Sequence, residues 1–281
     1  MMLRALVLAR GLGTRLRQPD ETAVLTPEQR RVADAGLKPL MPVNGHPVLA
    51  YALSAIADAG IREVGLVVAP DHDLVREYLD SHPPARVRVS PIVQHEARGT
   101  ADAVLAAEAW TERDPFLVMN GDNIYPLAAL RDLAALDEPG FPAFDAKDLV
   151  ATSNIPPDRV RAFALAEIDA DGYLRAIVEK PADPPEGVAF PPGGQALPPE
   201  GGSSLAISMN LWRFDARIFD ACRDVPASSR GEYELPEAVA IAIGRGMRVR
   251  AIPARGPVLD LSRRADAADV AQRLAGITPW P

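Results

Sequence analysis

Residues 3–17 read LRALVLARGLGTRLR, an apolar run that ends in two glycines, a threonine and flanking arginines. Residues 3–9, apart from Arg4, have the Ala, Leu and Val character of a strand buried on both faces, and Gly11 and Gly13 predict a tight turn at its carboxyl end. Such a turn suits phosphate, because its backbone N–H groups approach oxygen with no side chain in the way. Two familiar phosphate loops are excluded. The dinucleotide fingerprint needs a third glycine where Leu16 stands, and the Gly-Lys-Ser/Thr of the P-loop is absent.

The rhythm downstream decides the fold class. Residues 47–59 carry apolar positions at helical spacing up to Gly60, and REVGLVVAP (62–70) is a second strand. A helix over 71–79 with Asp71 as N-cap, a strand VRVSPIV (87–93), an alanine-rich helix over 100–110 and a buried strand PFLVMNGDN (115–123) follow. This alternation predicts an α/β protein with a Rossmann-like, mainly parallel sheet flanked by helices, whose ligands sit beyond the carboxyl ends of the strands. The two most polar strand ends, 9–15 and 120–123, fall at one edge.

After a helix over 126–136 the pattern changes. RAFALAEIDADGYLRAIVEKP (161–181) predicts two antiparallel strands about a turn at Asp171-Gly172. Residues 181–204, half proline or glycine, read as an excursion with no core of its own. LAISMNLWRF (205–214) and MRVRAIPA (247–254) are strands, and helices are expected over 216–222, 234–243 and 262–274. The length of 281 residues suits one elaborate domain.

No apolar run approaches the roughly 20 residues that span a bilayer. The lone Cys222 makes neither an internal disulfide nor a metal cluster, so the expectation is a cytoplasmic protein. A net charge of -8 argues against nucleic acid as a partner but leaves room for a small anionic substrate on a basic patch. Such a patch is present in the first 38 residues, where Arg4, Arg10, Arg15, Arg17, Arg30, Arg31 and Lys38 face only four carboxylates. Of 30 basic residues only Lys38, Lys147 and Lys180 are lysine, and two of these precede proline. An ammonium is a compact point charge that the broad arginine fork does not replace, which singles out Lys38 and Lys180.

Four stretches then line up: LARGLGTRL (8–16), LKPLMPVNGHPVLAYAL (37–53), VMNGDNIY (118–125) and VEKP (178–181). Together they resemble the sugar-1-phosphate nucleotidyltransferases of the glucose-1-phosphate thymidylyltransferase and uridylyltransferase kind. The resemblance implies one domain, with a nucleotide-binding half over 1–140 and an antiparallel sugar-phosphate-binding half over 141–281. It implies Mg²⁺ as cofactor and an NTP, with a lean to dTTP or UTP, and a sugar 1-phosphate as partners; homo-oligomerisation is left open. Leu8, Ala9, Gly11, Gly13 and Thr14 would cradle the nucleotide, with Arg15 at its β- and γ-phosphates and Lys38 at its α-phosphate. Gln94, Gly99 and Thr100 would read the base, since a side-chain amide donates and accepts at once and so suits the imide of uracil or thymine. Asp102 would contact ribose or face solvent. Asp122 and Asp260 would hold the metal, although Leu261-Ser262 stands where the family has Gly-Thr. Glu179, Lys180 and Asn210 would bind the sugar phosphate, and Arg161 stands near the place of a family Tyr-Gly pair. Arg230 and Glu232 match a further family segment. Arg10 replaces a small residue. Two alternatives are a catalytically silent nucleotide-sugar-binding subunit and a nucleotide-sugar-dependent glycosyltransferase, whose Asp-X-Asp signature is here Gly121-Asp122-Asn123.

Overall fold

The computed structural model describes residues 2–179, 204–228 and 230–281. Ten strands form one sheet. They are β1 (Arg4–Leu8), β2 (Glu63–Val68), β3 (Arg88–Val93), β4 (Phe116–Asn120), β5 (Gly140–Phe144), β6 (Ala164–Ile168), β7 (Leu174–Val178), β8 (Ser204–Ser208), β9 (Trp212–Phe214) and β10 (Arg250–Ala254).

The apolar run that opens the chain sits in the middle of the parallel part. β1 runs parallel to β2 on one side and β4 on the other, with Leu8 opposite Val67 and Asn120, and β3 lies beyond β2. Ala5 and Val7 pack on one face with Leu49, Leu53 and Ile56 of the helix Val48–Asp58. Leu6 packs on the other with Val104, Phe116 and Phe219. Period-2 alternation therefore buries both faces, which is why the strand carries no polar stripe. The register brings the ends of β1, β2 and β4 to one edge, and Ala9 N–H bonds Val67 O while Gly121 N–H bonds Leu8 O, each at 2.9 Å.

The remainder is largely antiparallel. β9 runs between β4 and β5, β8 pairs with β5 and β6, and the β6–β7 hairpin turns at Asp171-Gly172 as expected, with Gly172 at φ +81°. β10 lies parallel along β5. The α/β expectation, a parallel sheet with an added antiparallel portion, holds. Among the described residues no helix is long and apolar enough to cross a membrane.

Several local expectations are corrected. The second helix-forming stretch starts at Asp73 after His72, so Asp71 is not its cap. The alanine-rich helix breaks into Thr100–Leu105 and Glu108–Thr111. The strand over 205–214 breaks at Asn210, which takes φ +58° between β8 and β9. The closing helix begins at Asp266 because that side chain accepts from Ser262 and Arg263 N–H at 2.8 and 2.6 Å and holds 262–265 outside the helix. β5 escaped the sequence reading, since Gly140 and Pro142 both weigh against a strand interior. The excursion over 181–204 lies outside the described residues except for Ser204, which opens β8.

Candidate active site

The glycine turn is built by a close approach between two loops. Gly13 has φ +61°, and a Cβ there would stand 2.1 Å from the Gly36 carbonyl oxygen. A Cβ on Gly36, itself at φ +73°, would stand 2.7 Å from Leu12 O. Lys38 N–H then donates to Gly36 O at 3.1 Å, so the contact between the glycines carries Lys38 to the turn. Gly11 differs: a Cβ would meet nothing within 4 Å, and the residue faces the first of two cavities.

That cavity, about 320 Å³, is lined along one wall by Leu8, Ala9, Gly11, Gly13 and Thr14, with Lys38 and Asp122 beside them. A second cavity of about 230 Å³ adjoins it and is lined in part by Arg15, Arg159, Glu179, Asn210 and Asp260. Thr100, Asn120 and Glu234 line both. Arg15, expected at the nucleotide phosphates, thus lies on the second cavity. The reason is the helix Thr14–Arg17, which starts immediately after Gly13 and turns each residue about 100° from the last. Thr14 faces one cavity and Arg15 the other.

Acidic groups gather where the cavities meet. Asn123–Ile124 pairs antiparallel with Leu259–Asp260, and Leu261 N–H donates to Asp122 O at 3.0 Å. This short ladder brings together two aspartates far apart in sequence. Asp122 Oδ2 accepts from Lys38 Nζ at 2.7 Å. Burial alone would pull the Lys38 ammonium down, but the charges of Asp122 and Asp260 and the hydrogen bond outweigh it and hold it above the ordinary lysine value. Asp260 is buried, and Asn154 clamps its backbone with two bonds of 2.8 Å. Its carboxylate meets Arg159 and, at 3.0 Å, the Ser262 hydroxyl, while Arg159 also bonds Asp266 at 2.8 Å. Burial and the neighbouring Asp122 charge keep Asp260 above the usual carboxylate range despite Arg159 and Lys38.

At the far end of the first cavity Gln94 is nearly buried. Its Nε2 donates to Asp102 Oδ2 at 2.7 Å and to Gly99 O at 3.1 Å, and its main-chain oxygen accepts from Arg10 Nε at 3.2 Å. Arg10 therefore bridges the glycine turn to the end of β3. Asp102 contacts Gln94. Thr100 Oγ1 accepts from Leu235 N–H at 2.8 Å, and Arg230 pairs with Glu232, at 3.2 Å, and with Glu234.

In the second cavity, Asn210 donates to Asn120 Oδ1 at 2.8 Å and accepts from Trp212 Nε1 at 3.0 Å. Arg161 is exposed and lines neither cavity; of the two neighbouring arginines it is Arg159 that lines the second. Lys180 lies outside the described residues. Sequence reasoning missed Gly36, Arg159 and Glu234. Only Gly36 left a local signal, as the residue after the helix Pro27–Ala35 that its αL conformation ends.

A sheet whose strand ends open onto two joined polar cavities defines an α/β protein of the class that seats ligands beyond the carboxyl edge of its strands. More narrowly, residues 4–261 match the family model for nucleotidyl transferase, and the chain belongs to that family of enzymes. Over 275 residues it is 28% identical to a UTP–glucose-1-phosphate uridylyltransferase, AglF, of Haloferax volcanii, covering 97% of this chain and 96% of that one. It is 29% identical to a glucose-1-phosphate thymidylyltransferase of Streptomyces antibioticus over 95% of this chain, which spans 65% of that relative's length. In fold it resembles a UDP-glucose pyrophosphorylase solved with UDP-glucose, with a TM-score of 0.70 at 17% identity over 97% of this chain and 99% of that one. The resemblance to sugar-1-phosphate nucleotidyltransferases drawn from the four motifs stands.

Proposed function

We propose that this chain transfers a nucleotidyl group from UTP or dTTP to a sugar 1-phosphate, forming a nucleotide-sugar and releasing pyrophosphate. The observation that carries this reading is the junction of the two cavities, with Lys38 and Asp122 on the nucleotide side and Asp260 on the sugar side. Two ligands seated in them would meet at that line of charge. The named activities of the Haloferax and Streptomyces relatives support the same reaction.

In this reading an oxygen of the sugar phosphate attacks the α-phosphorus of the NTP, the bond to the bridging oxygen breaks, and pyrophosphate leaves with the electron pair. The nucleophile is already ionised at neutral pH, so no side chain needs to take its proton. What the protein supplies is position and charge. Backbone groups from Leu8 to Thr14 line the triphosphate, Lys38 presents a permanent cation, and Gln94 with Gly99 and Thr100 meets the base. Asn210 and Glu179 face the sugar phosphate, and Arg15 adds positive charge there.

Asp122 and Asp260 fit a hard divalent cation. They are two carboxylates that a short ladder brings together, Asp260 in one strand and Asp122 immediately before the other, and the charge of Asp122 already disfavours ionisation of Asp260. Mg²⁺ held there would neutralise phosphate charge. Pyrophosphate release from a panel of NTPs and sugar 1-phosphates with Mg²⁺ tests the reading. UTP or dTTP should turn over, and Lys38→Ala and Asp122→Ala should each lose about 10²- to 10³-fold in rate. Near-normal turnover in both variants, with the fold intact by circular dichroism, overturns the assignment.

A further inference from the structure

We infer that Asp102 is a specificity-determining positioning residue: it locks the Gln94 amide so that only its oxygen faces the base, selecting bases that present a ring N–H. The inference rests on the nucleotide reading above and sharpens it. A free glutamine offers a donor and an acceptor, and so accepts uracil and cytosine alike after a flip of its amide. Gln94 is not free. Both groups that meet its nitrogen, the Asp102 carboxylate at 2.7 Å and the Gly99 carbonyl at 3.1 Å, are acceptors, so the nitrogen must point at them and the flipped amide would set oxygen against oxygen. Among the described residues no donor meets Gln94 Oε1, while the residue lines the first cavity. Arg10 holds the same residue's main chain through its carbonyl at 3.2 Å, so the peptide is fixed along with the side chain.

The consequence is electronic. Uracil and thymine carry an N–H at ring position 3, which Oε1 accepts. Cytosine carries a lone pair there, which would face the glutamine oxygen. CTP is therefore the nearest analogue that the lock should reject, and it differs from UTP only at that edge. A site built to meet a polar group discriminates strongly against an analogue that cannot pair with it.

The test is equilibrium binding of UTP, dTTP and CTP by calorimetry, which needs no turnover. Wild-type protein should bind UTP or dTTP at least about tenfold more tightly than CTP, the scale of one neutral hydrogen bond replaced by two facing lone pairs. Asp102→Ala removes the carboxylate and leaves Gly99 O as the remaining acceptor, and should narrow that ratio by about threefold or more through a gain in CTP affinity, whereas lost packing would lower both affinities. Equal affinity of the wild type for UTP and CTP, or a ratio unchanged in Asp102→Ala, overturns the lock. Discrimination that follows the variant, with no pyrophosphate released from any sugar 1-phosphate, would uphold the lock and sink the catalytic reading alone.

Discussion

Gly13→Ala should damage this protein twice, and the structure sets the size of both effects. The residue sits at φ +61°, where a β-carbon costs about 1–2 kcal/mol. The added methyl would also stand 2.1 Å from Gly36 O, whereas ordinary contact begins at 3.4 Å, so the two loops must part by about 1.3 Å. Backbone on both sides cannot swing aside as a flexible side chain would. A total of roughly 2–3 kcal/mol follows, which for a chain of this length lowers Tm by about 4–6 °C. Lys38, tied to Gly36 O, moves with the loop, and a displacement near 1 Å in a positioned group costs about 10²-fold in rate. Gly11→Ala is the matched control: a Cβ there touches no protein atom within 4 Å. It should leave Tm within about 1 °C and instead raise KM for the nucleotide, because the methyl enters the first cavity. Differential scanning calorimetry and pyrophosphate-release kinetics on both variants check this. Wild-type Tm and kcat in Gly13→Ala would refute the claim that the two glycines hold Lys38 in place.

Arg159→Ala removes the buried cation between Asp260 and Asp266 and leaves two carboxylates without it, so stability should fall by about 3–5 kcal/mol; a shift below about 1 kcal/mol in urea unfolding would contradict the burial of that pair. Cys222 is buried, and burial pushes its thiol up to about 12, so it stays protonated through neutral and mildly alkaline pH. A thiol reagent at pH 8 should label unfolded protein within minutes and native protein hardly at all, and fast native labelling would show the helix Arg217–Arg223 to be loosely packed.

The parts of the fold legible in the sequence are those in which local pattern and burial agree. β1, β2 and β4 are apolar runs ended by glycine or a polar residue, and the register of a parallel sheet then forces their ends to one edge. The turn at Asp171-Gly172 is likewise a local matter. What could not be read is what depends on distant partners. Arg159 meets Asp260 and Asp266, 101 and 107 residues further along the chain, and nothing in its neighbours distinguishes it from the exposed Arg161. β5 carries Gly140 and Pro142 and is a strand because β10 runs along its full length on one side, with β8 and β9 pairing at its ends. Arg10 looked like a misplaced bulky residue because its acceptor, Gln94 O, is 84 positions away.

Charge pairing fixes most of the cations at the site in advance. Among the described cations that line the two cavities, Lys38 is bonded to Asp122 and Arg159 to Asp260 and Asp266. Arg10 spends its guanidinium on a carbonyl, and Arg15 alone has neither a carboxylate nor a carbonyl partner. An anionic ligand would therefore meet one open cation in the second cavity and a set of cations elsewhere that are already oriented. Orientation is the useful property, because a dipole or charge fixed in advance costs no reorganisation when phosphate charge shifts. At Lys38 the fixed cation meets a single carboxylate at 2.7 Å while its side chain lines the first cavity, and one ammonium does so where a planar fork with five donors would leave most of them unpaired.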